Sequence, residues 1–165
     1  MIEKILGKGL IINSLLFFLI FLIDRLSKIY VIYLDKINLN SEIFSSKFLN
    51  INLIWNEGIA FGFFSVSSQN LYNLLTLIIF IVILLVFYFL IKSTGFEKYA
   101  LIFIFSGALG NVYDRIIYNA VPDFIDFHVG NFHWFIFNIA DVFITLGIIF
   151  MIFLEITDIK REQKL

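Results

Sequence analysis

The chain has 165 residues, of which 61% are hydrophobic, 19% aromatic and 15% charged, with 22 Phe and a single Pro. That is well above the roughly half-apolar make-up of soluble domains and describes an integral membrane protein. A formal net charge of −1 with no basic block gives no sign of a nucleic-acid partner, and the lack of cysteine excludes a disulfide framework, a thiol nucleophile and cysteine-based zinc or iron–sulfur centres.

Four segments are long and apolar enough to cross a bilayer, for which about 20 residues are needed. The first runs from about 10 to 33 and carries Asp24, Arg25 and Lys28 in its second half. Lys4 and Lys8 precede it and no small-residue cleavage site follows, so it reads as an uncleaved signal anchor. Residues 34–70 form a long loop in which Asn50-Ile51-Asn52-Leu53 alternates like a strand and Asn56-Glu57-Gly58 signals a turn before Ala60-Phe61-Gly62-Phe63-Phe64. A small hairpin on the outer membrane surface is expected there. The second span, 71–91, has no charge. The third, 99–117, meets Asp114 and Arg115 near its end; a short loop carries Asp123; the fourth, 135–154, holds Asp141.

Lysine and arginine set the orientation. Lys4 and Lys8, then Lys92 and Lys98, then Lys160, Arg161 and Lys164 flank one side, whereas residues 118–134 contain none beyond the span ends. Both termini are therefore expected in the cytoplasm. With that topology Asp24, Asn111, Asp114, Asn138 and Asp141 all fall toward the outer ends of their spans, Asp141 roughly 10 Å below the start of its helix. Asp123 reaches the same level from its loop. Carboxylates are costly in lipid, so such a gathering marks a functional site.

Spacing adds detail. Asp24 and Lys28 share a helix face at i, i+4; Asn111 with Asp114, and Asn138 with Asp141, do so at i, i+3, where an amide can donate to the carboxylate and orient it. Gly107 and Gly110 in Gly107-Ala108-Leu109-Gly110-Asn111 let a second helix or an extended substrate approach closely. Pro122 makes the chain before Asp123 stiff and non-helical.

These residues resemble the lipoprotein signal peptidases, or type II signal peptidases, over nearly the whole chain. The likeness is carried by Asp24-Arg25-Leu26-Ser27-Lys28, Asn56-Glu57-Gly58-Ile59-Ala60-Phe61, Gly107-Ala108-Leu109-Gly110-Asn111 with Asp114-Arg115, Asp123-Phe124, and Phe137-Asn138-Ile139-Ala140-Asp141. The resemblance implies an intramembrane aspartic endopeptidase of the bacterial inner membrane. Its substrate is a diacylglyceryl-modified prolipoprotein, cleaved before the lipidated cysteine. It also implies that Asp123 and Asp141 form the catalytic dyad, that Asn56, Asn111, Arg115 and Asn138 line or support the substrate site, and that Asp24, Lys28 and Asp114 support it. Two positions depart from the family pattern: Val121-Pro122 stands where an apolar pair such as Val-Val is common, and Asn119-Ala120 where a glycine is common. Both bear on loop conformation, not on the identity of the acid.

Two carboxyls suffice for the chemistry, because a pair sharing one proton supplies both a base for water and an acid for the departing amine. Plainer readings stand beside this. Asp24 and Lys28 form a neutralised pair in one helix, Arg25 snorkels to the headgroups, and Asp114 beside Arg115 is a helix-end charge cluster. Asp123, Asp126, His128 and His133 offer metal-ligand types in one loop, but in no standard zinc order; interfacial histidines are the better reading. Ser106-Gly107 lacks the glycine two residues before a nucleophilic serine. Trp55 and Trp134 suit outer-surface aromatic belts. A proton-coupled four-span transporter would use Asp24 and Asp141 as binding carboxylates, yet needs neither a structured outer loop nor a second acid in a loop. The expected fold is an all-α membrane protein of four transmembrane helices with a small extracytoplasmic β element. It is expected as one membrane domain and a monomer, partnered by membrane lipid and prolipoprotein; no metal or organic cofactor is implied.

Overall fold

The computed structural model describes residues 2–37, 42–58 and 69–162, with the side chains of residues 2–6, 69 and 158–162 left aside. Among them, helix α1 spans Ile2–Ile37, strand β1 Glu42–Ser45, strand β2 Leu49–Asn56, helix α2 Gln69–Lys92, helix α3 Gly95–Tyr118, strand β3 Val121–Val129, strand β4 Phe132–Phe137 and helix α4 Ile139–Glu162. The expected segment Ala60–Phe64 lies outside the described residues.

All four helices are long and apolar enough to cross a membrane. Helix α2 is apolar all round, and almost nothing of its most apolar stretch is buried within the protein, which is how a lipid-facing helix reads. Helix α3 is the opposite case. It touches α1, α2 and α4, and half of its most apolar stretch is buried, so it forms the centre of the bundle. Close approach there depends on glycine. A Cβ on Gly107 would lie 2.5 Å from the Ala140 carbonyl oxygen of α4, and one on Gly110 would lie 2.5 Å from Asp24 Oδ2 of α1. The small-residue stretch thus admits α4 and the Asp24 carboxylate.

The sheet corrects the sequence reading. It has four antiparallel strands in the order β1-β2-β3-β4, so the expected hairpin in the 34–70 loop is only half of it. The other half comes from residues 121–137, read from sequence as a short loop running into the fourth span. Gly130 takes φ 61 in the two-residue connection between Val129 and Phe132, which are paired across it. A leading glycine with positive φ is what a tight two-residue hairpin requires. Phe135 to Phe137 accordingly belong to β4, and α4 begins at Ile139, four residues later than the expected start of the span. Asp141 is therefore in the first turn of its helix and not roughly 10 Å down it.

Chain order puts the sheet at one end of the bundle, joined to the C-termini of α1 and α3 and the N-termini of α2 and α4. Helix α3 is capped by Asn119, whose φ of 55 is left-handed and whose N–H donates to Arg115 O at 3.1 Å. Asparagine tolerates that conformation better than most residues other than glycine, which suits it to this position. Pro122 follows as the second residue of β3. Its register partner is Trp55 of β2, while pairing with β4 starts only at Ile125, so the proline sits where β3 has one neighbour.

Candidate active site

The junction between β4 and α4 organises the site. Asn138 precedes the first residue of α4, and its Oδ1 accepts the backbone N–H of Asp141 at 3.1 Å, while Asp141 Oδ2 accepts the backbone N–H of Asn138 at 3.2 Å. This is a reciprocal capping box in which Asn-Ile-Ala-Asp replaces the usual Ser-x-x-Glu. Capping uses only the oxygen of the Asn138 side chain. Its Nδ2 is free to donate to Asp123 Oδ1, at 2.6 Å. The expected side-chain bond from Asn138 to Asp141 is thus replaced: the backbone serves Asp141 and the amide serves Asp123.

Both acids are held from two sides. Asp123 Oδ2 accepts Asn56 Nδ2 at 2.8 Å, from the end of β2. Asn56 Oδ1 in turn accepts the Gly58 N–H at 2.8 Å, the expected turn after the strand. Asp141 Oδ1 accepts Asn111 Nδ2 at 2.8 Å, from α3. Here too the sequence reading is corrected, since Asn111 serves Asp141 on another helix and not Asp114 one turn along its own. Asp123 and Asp141 are both buried. Burial, and then the neighbouring Asp141 charge, push the Asp123 carboxyl up to about 7 against the opposing pull of the Asn56 and Asn138 amides.

A charged quartet lies beneath. Lys28 Nζ, fully buried, contacts Asp24 Oδ1 at 3.0 Å, Asp114 Oδ2 at 2.7 Å and Asn111 Oδ1 at 2.7 Å. Its three donors are all used, and holding the Asn111 oxygen turns the Asn111 amide nitrogen toward Asp141. Arg25 does not snorkel. It is buried against Asp24, with Nη2 2.6 Å from Oδ2, and forks onto Asp114 through Nη1 to Oδ1 and Nη2 to Oδ2, the latter at 2.7 Å. Asp24 Oδ1 also accepts the Ala140 N–H at 3.1 Å. Two cations and two anions cancel, and nearly every charged atom is paired, which is the condition for keeping ions in such a place. Asp114 is an interior partner of α1 and not an interfacial helix-end charge. Asp24 has both oxygens engaged, which leaves it no open position to bind and release a proton-coupled solute.

The other expected residues divide. Arg115 is buried; its Nη2 donates to the Gly58 carbonyl and its guanidinium lies 5.6 Å from the Tyr72 ring, so it ties the segment after Asn56 to α2 and α3. Ser106 donates to Ile102 O at 2.6 Å within its own helix. Asp126, His128 and His133 cluster with one another, without Asp123. Sequence reasoning missed Arg25 as a bridge between α1 and α3; the signal was arithmetic, because Asp24, Arg25, Lys28 and Asp114 sum to zero. An apolar groove of about 350 Å³, lined by Phe127, Trp134, Phe137 and Leu146 among others, reaches Asp141 from the side.

Residues 16–157 match the family model described as signal peptidase (SPase) II. A lipoprotein signal peptidase of Pelagibacter ubique is 42% identical over 154 residues, 93% of each chain. One of Anaplasma phagocytophilum is 34% identical over 93% of this chain and 96% of its own. A solved structure of a bacterial membrane enzyme, obtained by the in meso method at 2.3 Å resolution, superposes with a TM-score of 0.73 at 31% identity, covering 90% of both chains. With the match spanning all four helices and both halves of the sheet, the chain belongs to the signal peptidase II family of membrane peptidases.

Proposed function

We propose that this protein is an intramembrane aspartic endopeptidase that removes the signal peptide from diacylglyceryl-modified prolipoproteins, with Asp123 and Asp141 as its catalytic pair. The observation that carries the reading is that Asn138 contacts both acids, the side-chain amide reaching Asp123 and the backbone N–H reaching Asp141. Two buried carboxyls held side by side share a proton, since the second charge is costly next to the first.

In that arrangement one carboxylate takes a proton from water, whose oxygen attacks the scissile carbonyl carbon. The protonated partner gives its proton to the carbonyl oxygen. Collapse of the tetrahedral diol breaks the C–N bond, with a proton passing to the leaving amine and the pair returning to its starting state. Asn56, Asn111 and Asn138 orient the acids, Arg115 fixes the chain beside them, and Asp24, Lys28 and Asp114 support Asn111 and α4.

The distribution of Lys and Arg supports cytoplasmic termini and a site on the extracytoplasmic face of the bacterial inner membrane. The apolar side groove supports sideways entry, with the lipid chains of the substrate remaining in the bilayer. A single chain carries every residue of this site, in keeping with a monomer. Incubating the purified protein with a diacylglyceryl-modified prolipoprotein is expected to give a product shortened to the lipidated cysteine; an uncleaved substrate would contradict the reading.

A further inference from the structure

The β3–β4 hairpin carries a second group of polar side chains, apart from Asp123 and Asp141. Asp126 and His128 lie on β3 and His133 on β4, with His128 and His133 directly paired in register across the two-residue turn. A carboxylate oxygen of Asp126 and one ring nitrogen from each histidine all lie within 4.8 Å of one another. His133 Nδ1 is 2.8 Å from Asp126 Oδ2, and the two imidazoles stack with centroids 5.0 Å apart and planes 21° apart.

Two features distinguish this group from a solvated surface cluster. Asp126 is buried in the middle of β3, paired with Asn50 of β2 and Ile136 of β4, and Asn50 Nδ2 approaches its Oδ2 at 3.4 Å, so the carboxylate is held from a third strand. His128 Nδ1 is enclosed and has no hydrogen-bond partner among the described residues. A buried ring nitrogen without a partner costs roughly 1–3 kcal/mol, and a ligand that accepts its lone pair removes that cost.

The geometry points to a binding site for one divalent late transition-metal ion of the zinc, nickel and copper class, held by Asp126, His128 and His133. Two imidazoles and one carboxylate suit such ions and are poor ligands for calcium or magnesium, which take oxygen. Three atoms within this span have a common point about 2.8 Å or less from each, so bonds of about 2.0–2.2 Å need each ligand to move by well under about 1 Å. The His133 side chain is 51% exposed, which leaves the outer coordination positions to water. The ion would clasp β3 to β4, the two strands that lead to Asp123 and to Asn138.

The test is titration of the full-length protein in chelator-free detergent micelles with Zn²⁺ by calorimetry and with Cu²⁺ by electron paramagnetic resonance. One ion per chain is expected, with a copper spectrum split by two nitrogens and a raised thermal midpoint. His133→Ala, at a half-exposed position, is expected to keep the fold and weaken binding at least about 10-fold; His128→Gln tests the second imidazole in the same way. Binding in either variant equal to that of the parent, or no saturable one-to-one uptake by the parent, overturns the site. Because the readout is metal uptake, it stands or falls apart from peptidase activity.

Discussion

Asn138 donates its amide to Asp123 at 2.6 Å while the same side chain caps the helix that carries Asp141. One residue therefore starts α4 and contacts both acids. The two roles separate by substitution. Asn138→Ala loses the cap, at about 1 kcal/mol, and also the contact to Asp123. Asn138→Ser keeps a capping oxygen but does not reach Asp123. The expected outcome is that Ser restores the thermal midpoint that Ala lowers, while both cleave slowly, about 10–100-fold below the parent. Equal rates for Ser and parent would remove Asn138 from the positioning of Asp123.

The quartet of Asp24, Arg25, Lys28 and Asp114 is expected to behave as one unit. Asp114→Asn leaves two buried cations against one carboxylate and costs about 3–5 kcal/mol, read as thermal unfolding in detergent. Adding Lys28→Met restores neutrality and recovers part of that loss, with a coupling of about 0.5–3 kcal/mol in a double-mutant cycle. Strict additivity of the two changes would show that the charges do not interact.

Gly107 and Gly110 have less room than any flexible side chain would leave. Gly107→Ala drives a Cβ to 2.5 Å from the Ala140 backbone oxygen, so α4 must shift and Asp141 with it. A loss of about 1–3 kcal/mol and a clear fall in turnover are expected. Gly9→Ala, with nothing within 4 Å, is the matched control: it is expected to leave turnover unchanged and to raise stability by up to about 1 kcal/mol, because alanine favours a helix over glycine.

The Asp123 carboxyl at about 7 sets a pH dependence that belongs to the pair. Turnover falls as pH rises through about 7 and the shared proton is lost. Stability moves the same way. A carboxyl whose folded value is raised favours the folded state fully below its unfolded value of about 4, and that contribution is lost as pH rises through about 7. Rates and thermal midpoints measured from pH 5 to pH 9 check both; a rate that climbs steadily to pH 9 would contradict the shared proton.

The four spans are legible because apolar length alone marks them, and the two aspartates stand out as candidates because charge beside lipid is rare. Phe135-Ile136-Phe137 runs without a break into the apolar α4, so a strand was absorbed into a helix, and only the Gly130-Asn131 step signalled the hairpin. Once the helix start is moved to Ile139, Asn138 and Asp141 read as a cap. Arg25 was hidden for a different reason: its partner Asp114 is 89 positions away, and i, i+4 spacing sees only its own helix. Asn111 likewise faces a carboxylate on α4 because Lys28 occupies its oxygen, a three-residue arrangement that pairwise spacing does not reveal.

In the proposed mechanism Asp123 and Asp141 do the chemistry together. It is tested most directly by cleavage of a diacylglyceryl-modified prolipoprotein with purified Asp123→Asn and Asp141→Asn, each shown by circular dichroism to keep its helices. Neither variant is expected to yield the shortened product, a loss of at least about 10²–10⁴-fold. Turnover near that of the parent in either variant would contradict it.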